Sequence, residues 1–279
     1  MEISEFANSE VLEFYKILPF NFKGSVEDSV KSIRESNPDR LYPGIAKFLG
    51  SGISVLEVGC GVGWLSNSIS YLYNSSVVGI DFNPIAIERA QNVARALNIN
   101  TEFIAQDLFL YEPKHLFDVV ISFGVFHHTN NCEYGVRLCC EKFVRPGGHV
   151  IIGLYHKYGR QPFLDHFNEM RKRGVTEKEM FQKYRLLHSS IQDETQLYSW
   201  FRDQVINPHE TQHTLKEMFP ILKSSGMELV GTSINHFQRI DSVDYLFEEE
   251  EKYRDIALQK LNENRYFPGF FIFIARKKN

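Results

Sequence analysis

The sequence predicts an α/β fold built on a doubly wound, mostly parallel seven-stranded sheet, and three observations predict it. Short apolar runs alternate with amphipathic stretches from Ile53 to Leu154, the pattern of strands buried between two helical layers. The run Val55-Leu56-Glu57-Val58 enters a turn with glycines at 59, 61 and 63 and leaves it as a helix. A second apolar run, Val77-Val78-Gly79-Ile80, ends in Asp81. Strand, glycine turn, helix, strand and terminal carboxylate make up the nucleotide-binding half of a Rossmann-like sheet.

The elements follow in order. Residues 1–49 read as an N-terminal helical cap carrying the cluster Phe14-Tyr15 and Leu18-Pro19-Phe20-Asn21-Phe22. Strand 54–58 leads into a helix over 63–73, then strand 77–80. Asn83 and Pro84 supply the cap and first residue of a helix ending at Leu97, because an Asn side chain accepts free helical N–H groups and proline needs none. Strands 102–105 and 118–122, a helix over 132–143, the turn Arg145-Pro146-Gly147-Gly148 and strand 149–154 complete the alternation. It then stops. Residues 155–210 have helical patterning only and read as a substrate lobe inserted into a core of residues 50–154 and 211–279. The core resumes with a helix near 214–224 and a strand near 227–234. A second insertion over 236–268 precedes a last strand over 270–275. Cap and insertions are set to roof the carboxyl ends of the strands, where open α/β sheets bind ligands.

Composition narrows the function classes. The chain has 279 residues, 43% of them hydrophobic and 24% charged, with a net charge of −4, so no broad basic surface for nucleic acid is expected. No apolar run reaches the roughly 20 residues that span a bilayer, and the first twenty residues lack a basic-then-apolar leader. The four cysteines have no paired spacing and read as reduced, buried thiols. The expectation is a cytoplasmic protein without a membrane partner.

The glycine turn and Asp81 together suit an adenosine ligand, with backbone approaching closely at the loop and the carboxylate accepting from ribose hydroxyls. A dinucleotide fold wants a small residue where Trp64 stands, and Glu57 would repel a pyrophosphate while suiting a cation. The run Glu57-Val58-Gly59-Cys60-Gly61-Val62-Gly63 resembles the first motif of the class I methyltransferases that use S-adenosyl-L-methionine and release S-adenosyl-L-homocysteine. The resemblance continues through Asp81, Gln106-Asp107-Leu108, the segment Phe117 to His128, and Arg145-Pro146-Gly147-Gly148-His149, four pieces in matching order. It implies that Glu57 meets the amino group of the cofactor and that Gly59, Cys60, Gly61, Gly63 and Trp64 form its cradle. It implies also that Asp81, beside Phe82 and Asn83, holds the ribose. Asp107 would accept from the adenine amine, Leu108 and Phe82 would flank the ring, and Phe123 and Gly124 would lie beside the methionine end.

Methyl transfer to a polar acceptor at neutral pH calls for a base, and imidazole titrates in that range. His127 and His128 lie in the loop after the fourth strand, similar to the His-His segment of ubiquinone-biosynthesis-type methyltransferases; His156 follows the fifth strand. These three are the expected catalytic residues. Tyr15, Tyr155, Tyr158, Arg160 and His209 are the expected substrate contacts, with Arg160 suited to an anion. His209-Glu210-Thr211-Gln212-His213 matches the zinc-peptidase pattern, but Pro208 and Thr211 start the helix inside it, so no metal is expected. The expected function is methyl transfer to a small molecule. The alternatives are a tRNA nucleoside methyltransferase, using Lys157, Arg160, Arg171, Lys172, Arg173, Lys183 and Arg185 as a basic strip, and a catalytically silent S-adenosylmethionine-binding protein.

Overall fold

The structure is a computed structural model and describes residues 2–188 and 190–279. Its strands are β1 (Ser54–Val58), β2 (Ser76–Asp81), β3 (Glu102–Ala105), β4 (Phe117–Phe123), β5 (Val144–Tyr155), β6 (Met227–Thr232) and β7 (Phe270–Lys277). They form one sheet in the order β3-β2-β1-β4-β5-β7-β6, with β7 antiparallel to both of its neighbours. The order reverses between β1 and β4, which opens a crevice at their carboxyl ends. Gly59, Asp81 and Phe123 all stand at that edge.

Alternate residues of the strands serve two apolar layers, as the two-residue period of a pleated strand requires. Leu56, Val58, Val78, Ile80 and Val120 face one layer; Val55, Val77, Val119 and Ile121 face the other. The layers are covered by α4 (Trp64–Tyr73), α5 (Pro84–Leu97), α6 (Cys132–Leu138) and α10 (Leu215–Ser224). Asn83 caps α5 and Pro84 opens it, as the sequence predicts.

Before the sheet lie α1 (Ser9–Ile17), α2 (Val26–Glu35) and α3 (Pro38–Leu41). Ile33 of α2 packs on Val93 and Leu97 of α5, so this part of the N-terminal region braces the flank of the core rather than its mouth. Between β5 and α10, α7 (Lys157–Lys172), α8 (Glu177–Leu187) and α9 (Glu194–Phe201) enclose a core of their own, built on Phe163, Phe167, Met180, Tyr184, Leu197 and Phe201. The pair α11 (Val243–Glu251) and α12 (Tyr253–Asn262) lies between β6 and β7.

Three local expectations change. The turn at 145–148 is absorbed into β5 as a bulge, because Phe117 pairs with Val144 and Val119 already pairs with His149. The helix expected over 132–143 is α-helical over Cys132–Leu138 and widens into a π turn at Cys139–Phe143. The helix after the lobe is capped by Thr214 with Glu217 in a reciprocal capping box, not by Thr211. Among the described residues no helix is long and apolar enough to cross a membrane.

Candidate active site

The glycine loop is drawn against the tip of β2. Gly59 and Cys60 donate their N–H groups to the Ile80 carbonyl at 2.8 and 3.0 Å. Asp81 accepts from Gly61 N–H through Oδ2 and from Asn83 N–H through Oδ1, both at 2.8 Å. The glycines divide by what surrounds them. A Cβ on Gly59 would lie 2.2 Å from Val125, and one on Gly63 would lie 2.6 Å from Ala90, so these two serve packing. Gly61 and Gly124, at φ +51° and +75°, face open space, so side chains there would fill the crevice itself. Two carboxylates border this loop. Burial pushes Glu57 up to about 8, against a hydrogen bond from the Ser66 hydroxyl that pulls it down, and pushes Asp81 up to about 6. A loop with two open glycines and two desolvated carboxylates suits a ligand with a cationic group and hydroxyl donors. Phe123 borders the crevice and stacks on Tyr42 with ring centroids 4.0 Å apart.

Other residues expected to hold the cofactor have partners within the chain. Asp107 is buried and accepts from Ser4 N–H at 2.7 Å and Phe109 N–H at 2.9 Å, so the N-terminal segment reaches the edge expected to meet an adenine amine. The Asn83 side chain caps α5 and donates to the Tyr15 carbonyl at 3.0 Å. Phe82 and Leu108 are both half-buried. The Trp64 indole, expected in the cradle, instead packs beside Val26, Val30 and Ile33 of α2; its contribution to the loop is to begin α4.

The histidine pair divides into two opposite tautomers. His127 is fully buried, and its Nδ1 accepts from Tyr155 N–H at 3.0 Å, which leaves its proton on Nε2. Burial, then the charges of His128 and Arg160, hold it well below the ordinary histidine range, so it is neutral. His128 does the reverse. Its Nδ1–H donates to the His209 carbonyl at 2.7 Å, since a carbonyl can only accept, and the lone pair lies on Nε2. Both Nε2 atoms are buried without a hydrogen-bond partner among the described residues. One loop therefore presents the Nε2–H donor of His127 and the Nε2 atom of His128 side by side, with ring centroids 4.4 Å apart.

Around them stand residues from three further elements. Tyr155 at the end of β5 stacks on His127, and its hydroxyl donates to Asp203 Oδ2 at 3.0 Å. The Tyr15 hydroxyl, from α1, donates to Asp203 Oδ1 and accepts from Asn207 Nδ2 at 3.0 Å. His128 Nε2 lies 3.6 Å from Asp203 Oδ1. Asp203 and Asn207 belong to the segment after α9, and the sequence reading assigns neither a role. Their signal was present only in part, as polar residues interrupting the run from Trp200 to His209.

Four expected residues are reassigned. His156 is fully buried, caps α7 through Nδ1 and donates from Nε2 to Glu250 at 3.1 Å, while Glu250 also accepts from Leu215 and Lys216 N–H. Both ring nitrogens are thus used in tying β5 to α7, α10 and α11. Tyr158 packs on His156 and shares that position. Arg160 does not offer a free guanidinium: it is fully buried, forks onto both oxygens of Glu210 at 2.9 and 2.8 Å and lies over the Tyr155 ring at 4.1 Å. His209 contacts the Thr129 carbonyl at 3.0 Å, while its own carbonyl fixes His128. The peptidase-like motif lies on extended backbone, with residue 213 bridging to residue 156, so its histidines do not share a helical face. Of the seven residues of the basic strip, Lys157, Arg160, Arg173 and Arg185 pair with Glu217, Glu210, Glu169 and Glu194.

Comparison with known proteins gives three findings. A methyltransferase-domain family matches residues 49–262. The chain is similar to the ubiquinone biosynthesis O-methyltransferase of Pseudomonas putida, 28% identical over 133 residues, covering 47% of this chain and 56% of that one. Its counterpart in Cupriavidus pinatubonensis is 29% identical over 160 residues, covering 54% and 63%. The alignments thus span just over half the length of these curated relatives. Among solved structures, PKMT2 from Rickettsia typhi superposes with a TM-score of 0.58 at 15% identity, covering 99% of this chain and 56% of that one. The [4+2]-cyclase SpnF superposes at 0.56 and 14% identity, covering 99% and 98%. Likeness at this level concerns the fold, and a cyclase within it shows why function must be argued from the site.

Proposed function

The chain belongs to the methyltransferase-domain family, and from that premise we propose that it transfers a methyl group from S-adenosylmethionine to an oxygen of a small molecule. The observation that carries the reading is the join of two features at one sheet edge: the open glycine loop with its two carboxylates, and the unpartnered base on His128. The O-methyltransferase names of the curated relatives support oxygen as the acceptor atom.

The residues present fit S-adenosylmethionine. Backbone at Gly61 and Gly124 leaves the space that a ligand would fill. Asp81 would accept from ribose hydroxyls, and Glu57 would lie toward the amino group of the methionine end. Bound there, the cofactor supplies a methyl group already activated on a sulfonium. The chain then has two tasks, alignment of the acceptor and removal of its proton. The neutral Nε2–H of His127 would donate to the acceptor oxygen or its neighbour, and the lone pair of His128 Nε2 would take the proton. Tyr155 stacked on His127 and Tyr15 set edge-on to His128 hold the two imidazoles in place.

Titration calorimetry with S-adenosylmethionine and S-adenosylhomocysteine tests the reading. Binding of both in the micromolar range is expected; no heat from either at high micromolar concentration would overturn it.

A further inference from the structure

We propose that Asp203 is the positioning residue that holds the proton His128 takes from an uncharged hydroxyl acceptor, a proposal that rests on the methyl-transfer reading above. The argument starts from the fixed tautomer. The His209 carbonyl claims the Nδ1–H of His128, so in the neutral ring Nε2 carries only a lone pair. That lone pair faces the Asp203 carboxylate at 3.6 Å, beyond hydrogen-bond length. In the neutral ring two acceptors face one another with no proton between them. A proton arriving at Nε2 converts this contact from unfavourable to an ion pair.

Charge accounting gives the acceptor class. The groups facing this space are His127 and His128 from the loop after β4, Tyr15 from α1, Tyr155 from β5, Asp203 from the segment after α9, and Arg160 from α7 over the Tyr155 ring. The Arg160 charge is taken by Glu210, and burial and Asp203 keep both tyrosines protonated. Among these groups Asp203 is the carboxylate with no lysine or arginine of its own, and the next charge to reach Tyr15, Asp81, is a carboxylate as well. An anionic acceptor would enter beside Asp203 without a free cation. A neutral hydroxyl fits: as the O–C bond forms, the S–C electrons stay on sulfur, and the acceptor proton moves to His128 Nε2. The positive charge that leaves the sulfonium then reappears on the imidazole ring, next to Asp203. Tyr15 and Tyr155 each donate to one carboxylate oxygen and so fix its plane toward His128.

The test is histidine nuclear magnetic resonance on the full-length chain with ring-labelled histidine, the His128 signal being assigned with His128→Gln. Asp203→Asn keeps acceptor and donor atoms for the two tyrosines but removes the charge. The His128 titration midpoint is expected to fall by at least one pH unit, a tenfold loss of proton affinity. Tyr15→Phe leaves the carboxylate with one fewer donor to spread its charge, and the midpoint is expected to rise. Opposite signs distinguish an electrostatic role from general loosening of the site, which would move both variants the same way. A midpoint unchanged in Asp203→Asn, or shifts of the same sign, would overturn the proposal. If Asp203→Asn does not fold, Tyr15→Phe alone decides: a rise supports the proposal and no rise overturns it. S-adenosylhomocysteine binding, measured in parallel by calorimetry on the wild-type chain, reports separately on the underlying reading.

Discussion

Glu57 is the residue whose burial has the widest consequence. Its carboxyl is held at about 8 rather than 4.5, so between those values the folded chain keeps a proton that the unfolded chain has released. Stability must therefore fall as pH rises through that window, by up to about 1.4 kcal/mol per pH unit from this group. Glu57→Gln retains an acceptor for Ser66 and removes the titration. Thermal melts should show the variant more stable than wild type at pH 8, with the gap narrowing toward pH 5. A cationic ligand favours the ionised carboxylate, so cofactor affinity in the wild type should rise between pH 6 and 8, and in Glu57→Gln that rise should be much reduced. The glycines offer a second residue-scale contrast. Gly59→Ala puts a methyl 2.2 Å from Val125 and should destabilise by roughly 1–3 kcal/mol through overpacking, besides the strain of its positive φ. Gly61→Ala meets nothing in the protein, so it should cost only the roughly 1–2 kcal/mol of left-handed strain while weakening S-adenosylhomocysteine binding tenfold or more by calorimetry. Glycine loop and terminal carboxylate were legible in the sequence because their partners lie within a few residues or on the adjacent strand. Asp203 was not, because its meaning comes from Tyr15, His128 and Tyr155, which lie 188, 75 and 48 residues away in the chain.

Among the elements, the join between α7 and the segment over 207–213 decides the geometry of His128. Arg160 on α7 anchors Glu210, and the residue before Glu210 supplies the carbonyl that sets the His128 tautomer. A lone basic side chain beside two tyrosines reads in sequence as a grip for an anion. The structure gives it a buried partner fifty positions later, and no local pattern announces such a pairing. Likewise, the motif His209-Glu210-Thr211-Gln212-His213 has helical spacing, yet residue 213 bridges to residue 156 and forces it to be extended. Glu210→Ala would leave the Arg160 charge buried without its counter-ion, at a cost of about 3–5 kcal/mol. Chemical denaturation should record that loss. The paired replacement Arg160→Met with Glu210→Met should recover most of it, because well-packed apolar residues substitute for a buried ion pair at little cost. An anion-binding role for Arg160 predicts the opposite of the single variant, namely a folded chain with a newly freed guanidinium.

At the scale of the molecule, the sheet presents its crevice and two separate stretches of chain meet above it. The stretch after α1 and the helix α9 are tied by Asn21, whose side-chain oxygen accepts from Gln196 at 2.7 Å and from the Trp200 indole at 3.2 Å. Phe20 stacks on Trp200, and Arg202 lies over Phe14. Lower down, Tyr15 reaches Asp203 while its carbonyl holds Asn83, the cap of the helix that follows Asp81. The N-terminal region is thus the piece that connects the Asp81 edge of the crevice to the Asp203 side of the lobe. Sequence reading placed this region over the carboxyl ends of the strands, but α2 braces α5 instead, and the contacts with the crevice come from residues 4–23 and from Tyr42. A ligand bound against Gly61 should stabilise these residues, since they contact both the Asp81 side and the lobe. Hydrogen exchange of the full chain should show residues 9–23 and 194–206 slowing together when S-adenosylhomocysteine binds. Asn21→Ala removes two hydrogen bonds worth about 1 kcal/mol each and places alanine at φ +57°. Exchange in residues 9–23 should then rise about 10- to 30-fold in the free chain, with the amides of β1 and β4 unchanged. If the strands loosened as much as the roof, these residues would be part of the core's own stability and not a cover laid over it.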